Sequence, residues 1–142
     1  MLTGSNDYII DLKRRIALPK AMRAEVGEFV YVAPGFDRRA LTIFPIGELE
    51  NIKNRVNQLP LSKSIPLSRR IFPKAQKTPV DTQGRILLPS DLLDSAGMKS
   101  EDKVMVIGVG DFAEIWPYDV YCQMNAENSS QDLMSALEEV DI

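Results

Sequence analysis

Residues 80–89 read VDTQGRILLP, and residues 10–19 read IDLKRRIALP. Each stretch sets an Asp four places before an Arg, runs through three apolar residues and stops at a Pro. Sliding the chain along itself by 70 positions pairs Asp11 with Asp81, Arg15 with Arg85, Ile16 with Ile86, Leu18 with Leu88, Pro19 with Pro89 and Gly27 with Gly97. With a small slip, AEVGEFVYVAPG (24–35) resembles DSAGMKSEDKVMVIGVG (94–110), and LTIFP (41–45) resembles AEIWP (113–117). A match of this length marks an internal repeat, a supersecondary unit packed on its copy.

Each copy carries the same local expectations. Residues 8–11 and 78–81 predict a strand, 11–15 and 81–85 a polar turn, and 16–18 and 86–88 a returning strand. Gly84 supplies backbone freedom in the second turn. A short helix is expected at 19–26 and again at 90–96, with Ser90 as N-cap and Gly27 and Gly97 as C-caps. Strands follow near 29–33, 40–44, 103–107 and 112–116, with Gly108-Val109-Gly110 as a hairpin turn. IGELENIKNRVNQL (46–59) spaces Leu49, Ile52, Val56 and Leu59 as an amphipathic helix, whose stripe packs on the body or a neighbouring subunit. The C-terminal pattern, Val120 to Met124 and Leu133 to Val140, reads as helix interrupted by a polar break at 126–131. One copy is too small to close a core comfortably. The two are therefore expected to interleave about a pseudo-twofold axis.

The fold class expected is mainly β with short helices (α+β), two duplicated units forming one body, with longer amphipathic helices. The division is 1–60 for unit 1 and its helix, 61–77 as a basic linker, and 78–142 for unit 2 and its C-terminal helix.

Composition narrows the function. The chain has 142 residues, 44% hydrophobic and 26% charged, with one Cys (Cys122) and no His. An internal disulfide, a Cys/His zinc cluster and imidazole acid–base chemistry are thereby excluded. No apolar run approaches the ~20 residues of a membrane span. MLTGSNDYIID lacks the basic start and apolar core of an export signal, so the expected address is the cytoplasm. The net charge of −3 hides an asymmetry: residues 1–100 carry +6 and residues 101–142 carry −9. Local potential matters more to a polyanion than total charge.

Lys13, Arg14, Arg15, Lys20 and Arg23 place five cations within 11 residues and no acid among them. Arginine makes bidentate contacts to phosphate or to the guanine edge. Two readings of the motif arginines stand. They hold the turn by pairing with Asp11 and Asp81, or they meet DNA. The pattern favours structural roles for Asp11, Asp81, Gly84 and Arg85, and DNA contact for Arg15 with Lys13, Arg14, Lys20 and Arg23. Arg69, Arg70, Lys74 and Lys77 read as solvated surface or a subunit contact. Arg38 and Arg39 sit at a loop tip, and Tyr31, Phe44, Phe72 and Trp116 as core or interface aromatics. No serine, cysteine or aspartate stands in a catalytic constellation, and no cofactor or metal is expected.

Asp11 to Pro19, Asp81 to Pro89, Gly108 to Trp116 and the basic stretch Pro66 to Phe72 together resemble the MraZ family of bacterial transcriptional regulators, over residues 5–125. The resemblance implies two SpoVT-AbrB-type units in one chain, folded as AbrB-like swapped hairpins. It also implies a homo-oligomeric ring that binds direct repeats in double-stranded DNA, at the promoter of the division and cell-wall gene cluster. The implied address is the cytoplasm, at the nucleoid, with no membrane partner. The family has glycine before the motif arginine. Gly84 keeps it and Arg14 departs from it, which adds charge to the reading face and strains the turn if a positive φ is required there. The rival expectation is a structural or protein-binding ring-forming module without specific DNA recognition, which makes no use of the cations at 13–23.

Overall fold

Runs rich in β-branched and aromatic residues form strands in two matching sets. The first copy gives β1 (Ser5–Ile9), β2 (Arg15–Ala17), β3 (Phe29–Pro34) and β4 (Leu41–Pro45). The second gives β5 (Gln76–Pro79), β6 (Arg85–Leu87), β7 (Lys103–Gly108) and β8 (Ala113–Pro117). The helices are α1 (Lys20–Arg23), α2 (Ile46–Val56), α3 (Leu61–Ile71), α4 (Ser90–Ser95), α5 (Tyr118–Glu127) and α6 (Ser130–Glu139). These come from a computed structural model that describes residues 1–127 and 130–141.

The fold is a mixed α/β one with two antiparallel sheets. Six strands run in the order β1-β7-β8-β4-β3-β5, and β2 pairs with β6 in a separate ribbon. Exchanging β1 with β5, β3 with β7 and β4 with β8 returns the same order read backwards. Neither copy holds its own sheet together. β1 pairs with β7, β5 with β3, and β4 with β8 at the centre, each pair joining one copy to the other.

Packing follows from the strand period. Neighbouring side chains face opposite sides of a sheet, so Val32 and Ile43 enter one core while Ala33 and Phe44 enter another. The larger core unites positions that are 70 apart in sequence: Ile16 with Ile86, Leu18 with Leu88, Met22 with Leu92, all at most 1% exposed. Ile16 and Ile86 stand directly opposite each other in the ribbon. The smaller core gathers Phe44, Ile52, Val56 and Ile71, the last three from α2 and α3.

Several local expectations need correction. More of the described chain is helical than strand, whereas mainly β was expected, and residues 61–71 form an unexpected helix, α3, despite Pro66 inside it. Leu67 and Ile71 anchor that helix to the smaller core, which offsets the amide donor that Pro66 lacks. The segment expected as a linker thus carries α3, a 3₁₀ turn at Phe72–Lys74 and the start of β5. Ser90 is the first residue of α4; Pro89 holds the cap position and no side chain caps it. Gly97 does end α4, at φ 71, with Gly97 N–H donating to the Asp94 carbonyl at 3.2 Å and Met98 N–H to Leu93 at 2.9 Å. Gly27 has no positive φ, and α1 closes through Ala24 instead. Of the polar break expected at 126–131, Asn128 and Ser129 lie outside the described residues. The hairpin at Gly108-Val109-Gly110 is present, and a Cβ on Gly108 would overlap the backbone of Leu2 and Thr3. No helix among the described residues is long and apolar enough to cross a membrane.

Because Ile86 is buried at the junction of both copies, Ile86→Ala should cost about 2–5 kcal/mol of unfolding free energy. Urea denaturation measures this, and a loss under about 1 kcal/mol would show that the ribbon is peripheral to the core.

Candidate nucleic-acid interface

The two motif turns are built the same way down to individual bonds. In the first, Asp11 N–H donates to the Arg15 carbonyl (3.0 Å) and Arg14 N–H to the Asp11 carbonyl (3.0 Å). Asp11 Oδ1 accepts from the backbone N–H groups of Lys13 (2.9 Å) and Arg15 (2.8 Å), and Oδ2 accepts from Arg15 Nε (2.9 Å). In the second, Asp81 Oδ1 accepts from Gln83 N–H (2.9 Å) and Arg85 N–H (2.8 Å), and Oδ2 from Arg85 Nε (3.0 Å). A carboxylate is needed here because one short side chain must satisfy two amides and a guanidinium at once. Those bonds hold both carboxyls below the usual carboxylate range, with the amide of the motif arginine as the largest cause.

Each turn reverses through a residue in the left-handed region, Arg14 at φ 61 and Gly84 at φ 76. Those residues also lock the copies together: Leu18 N–H donates to the Gly84 carbonyl (2.9 Å) and Leu88 N–H to the Arg14 carbonyl (2.8 Å).

The five cations do not form one patch. Lys13, Arg14 and Arg15 stay on the first turn, and Lys20 is exposed at the start of α1. Arg23 reaches across to the second turn: its Nε donates to the Leu18 carbonyl of its own copy at 2.9 Å, and its guanidinium lies where a Cβ on residue 84 would be. The position equivalent to Arg23 in the second copy is Leu93, which shares a shallow hollow with Arg14. So each turn receives one extra arginine. The first carries it within the turn and the second takes it from the other copy's helix. The exchange leaves room for the side chain at position 14, whereas one at position 84 would have to displace the Arg23 guanidinium.

Arg15 and Arg85 are geometrically alike, with side chains 30% and 31% exposed and only Nε engaged by the aspartate. Their terminal amino groups have no protein partner among the described residues. The sequence reading that sends Arg15 to DNA and leaves Arg85 in the turn therefore gains no geometric basis.

Away from the turns, Arg39 is tied to Asp37 (2.9 Å) and Glu127 (3.2 Å) and lies 5.4 Å from the Trp116 ring, so it is not a free loop-tip charge. Lys77 leaves its expected cluster and sits 4.6 Å from the Phe29 ring. Arg69, Arg70 and Lys74 remain together and are joined by Arg38 around a cleft of about 550 Å³. Sequence reasoning missed that grouping, since Arg38 arrives from a loop 31 residues upstream of Arg69. Among the described residues, no group of three or more His, Cys, Asp or Glu could hold a metal ion.

The second turn, with β6 to α6, falls within residues 71–141, which match a family model described as "MraZ protein, putative antitoxin-like". The whole chain is 32% identical over 146 residues to the transcriptional regulator MraZ of Thermoanaerobacter pseudethanolicus, covering 100% of both. The chain belongs to the MraZ family. It is also 37% identical over 123 residues to the MraZ of Caldanaerobacter subterraneus (85% of this chain, 84% of that protein). The MraZ of Finegoldia magna is 32% identical over 143 residues, 96% of this chain and 98% of that one. Arg14 thus takes the left-handed conformation at the position where the MraZ resemblance calls for glycine.

Two outcomes follow from this geometry. Gly84→Ala should lower unfolding free energy by at least about 1 kcal/mol, the cost of a Cβ in the left-handed region. Adding Arg23→Leu should recover part of the loss, because it recreates the Arg14–Leu93 arrangement; no recovery in the double variant would mean that Arg23 does not restrict position 84. The second outcome concerns acid. With folded pKa values below the unfolded one, the stabilisation from Asp11 and Asp81 is complete above about pH 4 and is lost as pH falls through the folded values. Melting curves of Asp11→Asn/Asp81→Asn should accordingly show a shallower fall in Tm below about pH 4 than the parent chain. Parallel curves would detach the motif carboxylates from acid unfolding.

Proposed function

We propose that this chain is a sequence-specific DNA-binding transcriptional regulator acting on promoter direct repeats of the division and cell-wall gene cluster. In this reading two SpoVT-AbrB-type units, 1–60 and 78–142 joined by the basic segment 61–77, form swapped hairpins. The chain assembles into a homo-oligomeric ring and works at the nucleoid in the cytoplasm. The relatives named transcriptional regulator MraZ support it at the level of the family.

The observation that carries the reading is the pair of interlocked turns. Their backbones are fixed by the aspartates and by the reciprocal bonds to Leu18 and Leu88, while Lys13, Arg14 and the terminal nitrogens of Arg15 and Arg85 are left without protein partners among the described residues. Cations carried on a backbone fixed in this way suit a polyanion, because little loop entropy remains to be lost on binding. Backbone phosphate contacts set register, and an arginine reaching a guanine edge sets sequence. Adjacent subunits of a ring would repeat the turns, and repeated short sites would multiply a modest affinity.

Titration against a direct-repeat duplex and a scrambled one, over a salt series, tests this. Affinity should fall steeply with salt, and Arg14→Gly should flatten the slope by about one unit on both duplexes if Arg14 meets phosphate. Arg15→Ala and Arg85→Ala should weaken binding to a similar degree, with little loss of fold, since exposed ion pairs contribute about 0–1 kcal/mol. Equal, salt-insensitive binding of both duplexes would refute the DNA reading and leave the ring-forming module.

A further inference from the structure

We infer that the acidic helix α6 of a second copy docks in the basic cleft bounded by α3, α4 and the β3–β4 loop. This deepens the oligomeric part of the proposed function and rests on it. The cleft holds about 550 Å³, with Arg38, Arg69 and Lys74 exposed along it. Arg70 is fixed there by donating to the Gly35 carbonyl at 2.8 Å. Pro34 and Pro66 supply apolar lining in the same cleft, over the buried side chain of Leu92. Asp91, the one acid among the lining residues, already accepts from Gln76 Nε2 at 3.2 Å. A surface of this kind asks for a ligand with an apolar ridge and negative flanks.

The chain itself contains such an object. Along α6 and the residue after it, Leu133, Leu137 and Val140 follow a 3–4 spacing with Met134 beside them. None of the α6 side chains is buried, and Leu133, Met134 and Val140 are 56%, 59% and 64% exposed. On the helical wheel Asp132 and Glu139 lie to one side of this stripe and Glu138 to the other, and residues 130–141 contain no Lys or Arg. An uncovered apolar stripe flanked by acids and a cation-rimmed cleft on another part of the same surface form a heterologous pair. Such pairs propagate from copy to copy and close into a ring when the rotation allows. The complementary charges also oppose the wrong alignment, in which cleft would face cleft.

DNA phosphate is the competing occupant of four cations. It makes no use of Pro34 and Pro66, and it leaves the α6 stripe in water.

The test is the mass of the full chain in solution by light scattering across a dilution series, with DNA affinity measured on the same samples. Leu133→Asp/Leu137→Asp should shift dissociation to at least tenfold higher protein concentration, with circular dichroism of the β-sheet unchanged because α6 lies outside both cores. Arg38→Glu/Arg69→Glu/Lys74→Glu should do the same, and so should Glu138→Lys/Glu139→Lys. Combining the last two variants should restore at least part of the assembly. Wild-type mass at the 15.9 kDa of one chain would overturn the oligomer reading and this inference with it. An oligomeric wild type whose mass survives every variant would overturn the inference alone. A cleft variant that loses DNA affinity while keeping its mass would assign the cleft to nucleic acid instead.

Discussion

Two backbone hydrogen bonds set how the two motif turns stand against each other: Leu18 N–H to the Gly84 carbonyl and Leu88 N–H to the Arg14 carbonyl. Each fixes the residue at which one copy's turn reverses, using an amide from the other copy's ribbon. Neither turn is therefore complete in its own half of the chain. A buried or half-buried backbone hydrogen bond contributes only about 1 kcal/mol net, so the pair does not account for stability. It accounts for orientation. The burial of Ile16, Leu18, Met22 and their partners 70 residues on supplies the driving force, and the hydrogen bonds decide how the two turns stand once that core has formed.

The divergence of the copies is visible at one position and its compensation. Arg14 and Gly84 occupy equivalent left-handed sites, and Arg23 and Leu93 occupy equivalent sites on the helices that follow. Where the turn has a side chain, the opposing residue is aliphatic. Where the turn has none, the opposing residue is an arginine whose guanidinium fills the space. Substituting either member alone breaks the match, either by placing two bulky groups together or by leaving a gap. Charge is shared out by the same exchange, since both turns keep their motif arginine and gain one more. The first adds Lys13 where the second has Gln83, so the two turns carry similar but unequal positive charge.

Much of this was legible in the sequence where the signal is local. The strands appear because β-branched residues alternate, and the Asp-x-x-x-Arg spacing is the reach of one carboxylate around a five-residue turn. Gly97 reads correctly because a helix end needs a left-handed residue, whereas Gly27 follows a helix too short to need one. α3 was hidden by Pro66, and its helical state depends on Leu67 and Ile71 finding a core made by residues far away. Arg23 looked like part of a local cluster because sequence proximity conceals the crossing to the other copy. The cleft was invisible for the same reason: Arg38 and Arg69 meet only after β3, β4 and α3 are packed. Linear patterns report short-range geometry, and this site is assembled from contacts between the copies.

Hydrogen–deuterium exchange of the full chain, with and without a direct-repeat duplex, tests most directly whether the interlocked turns are the DNA face. The account predicts added protection in the segments 12–15 and 82–85 together, with no change at 35–39 and 69–74. Protection at the latter two segments, with both turns exchanging as in the free protein, would contradict it.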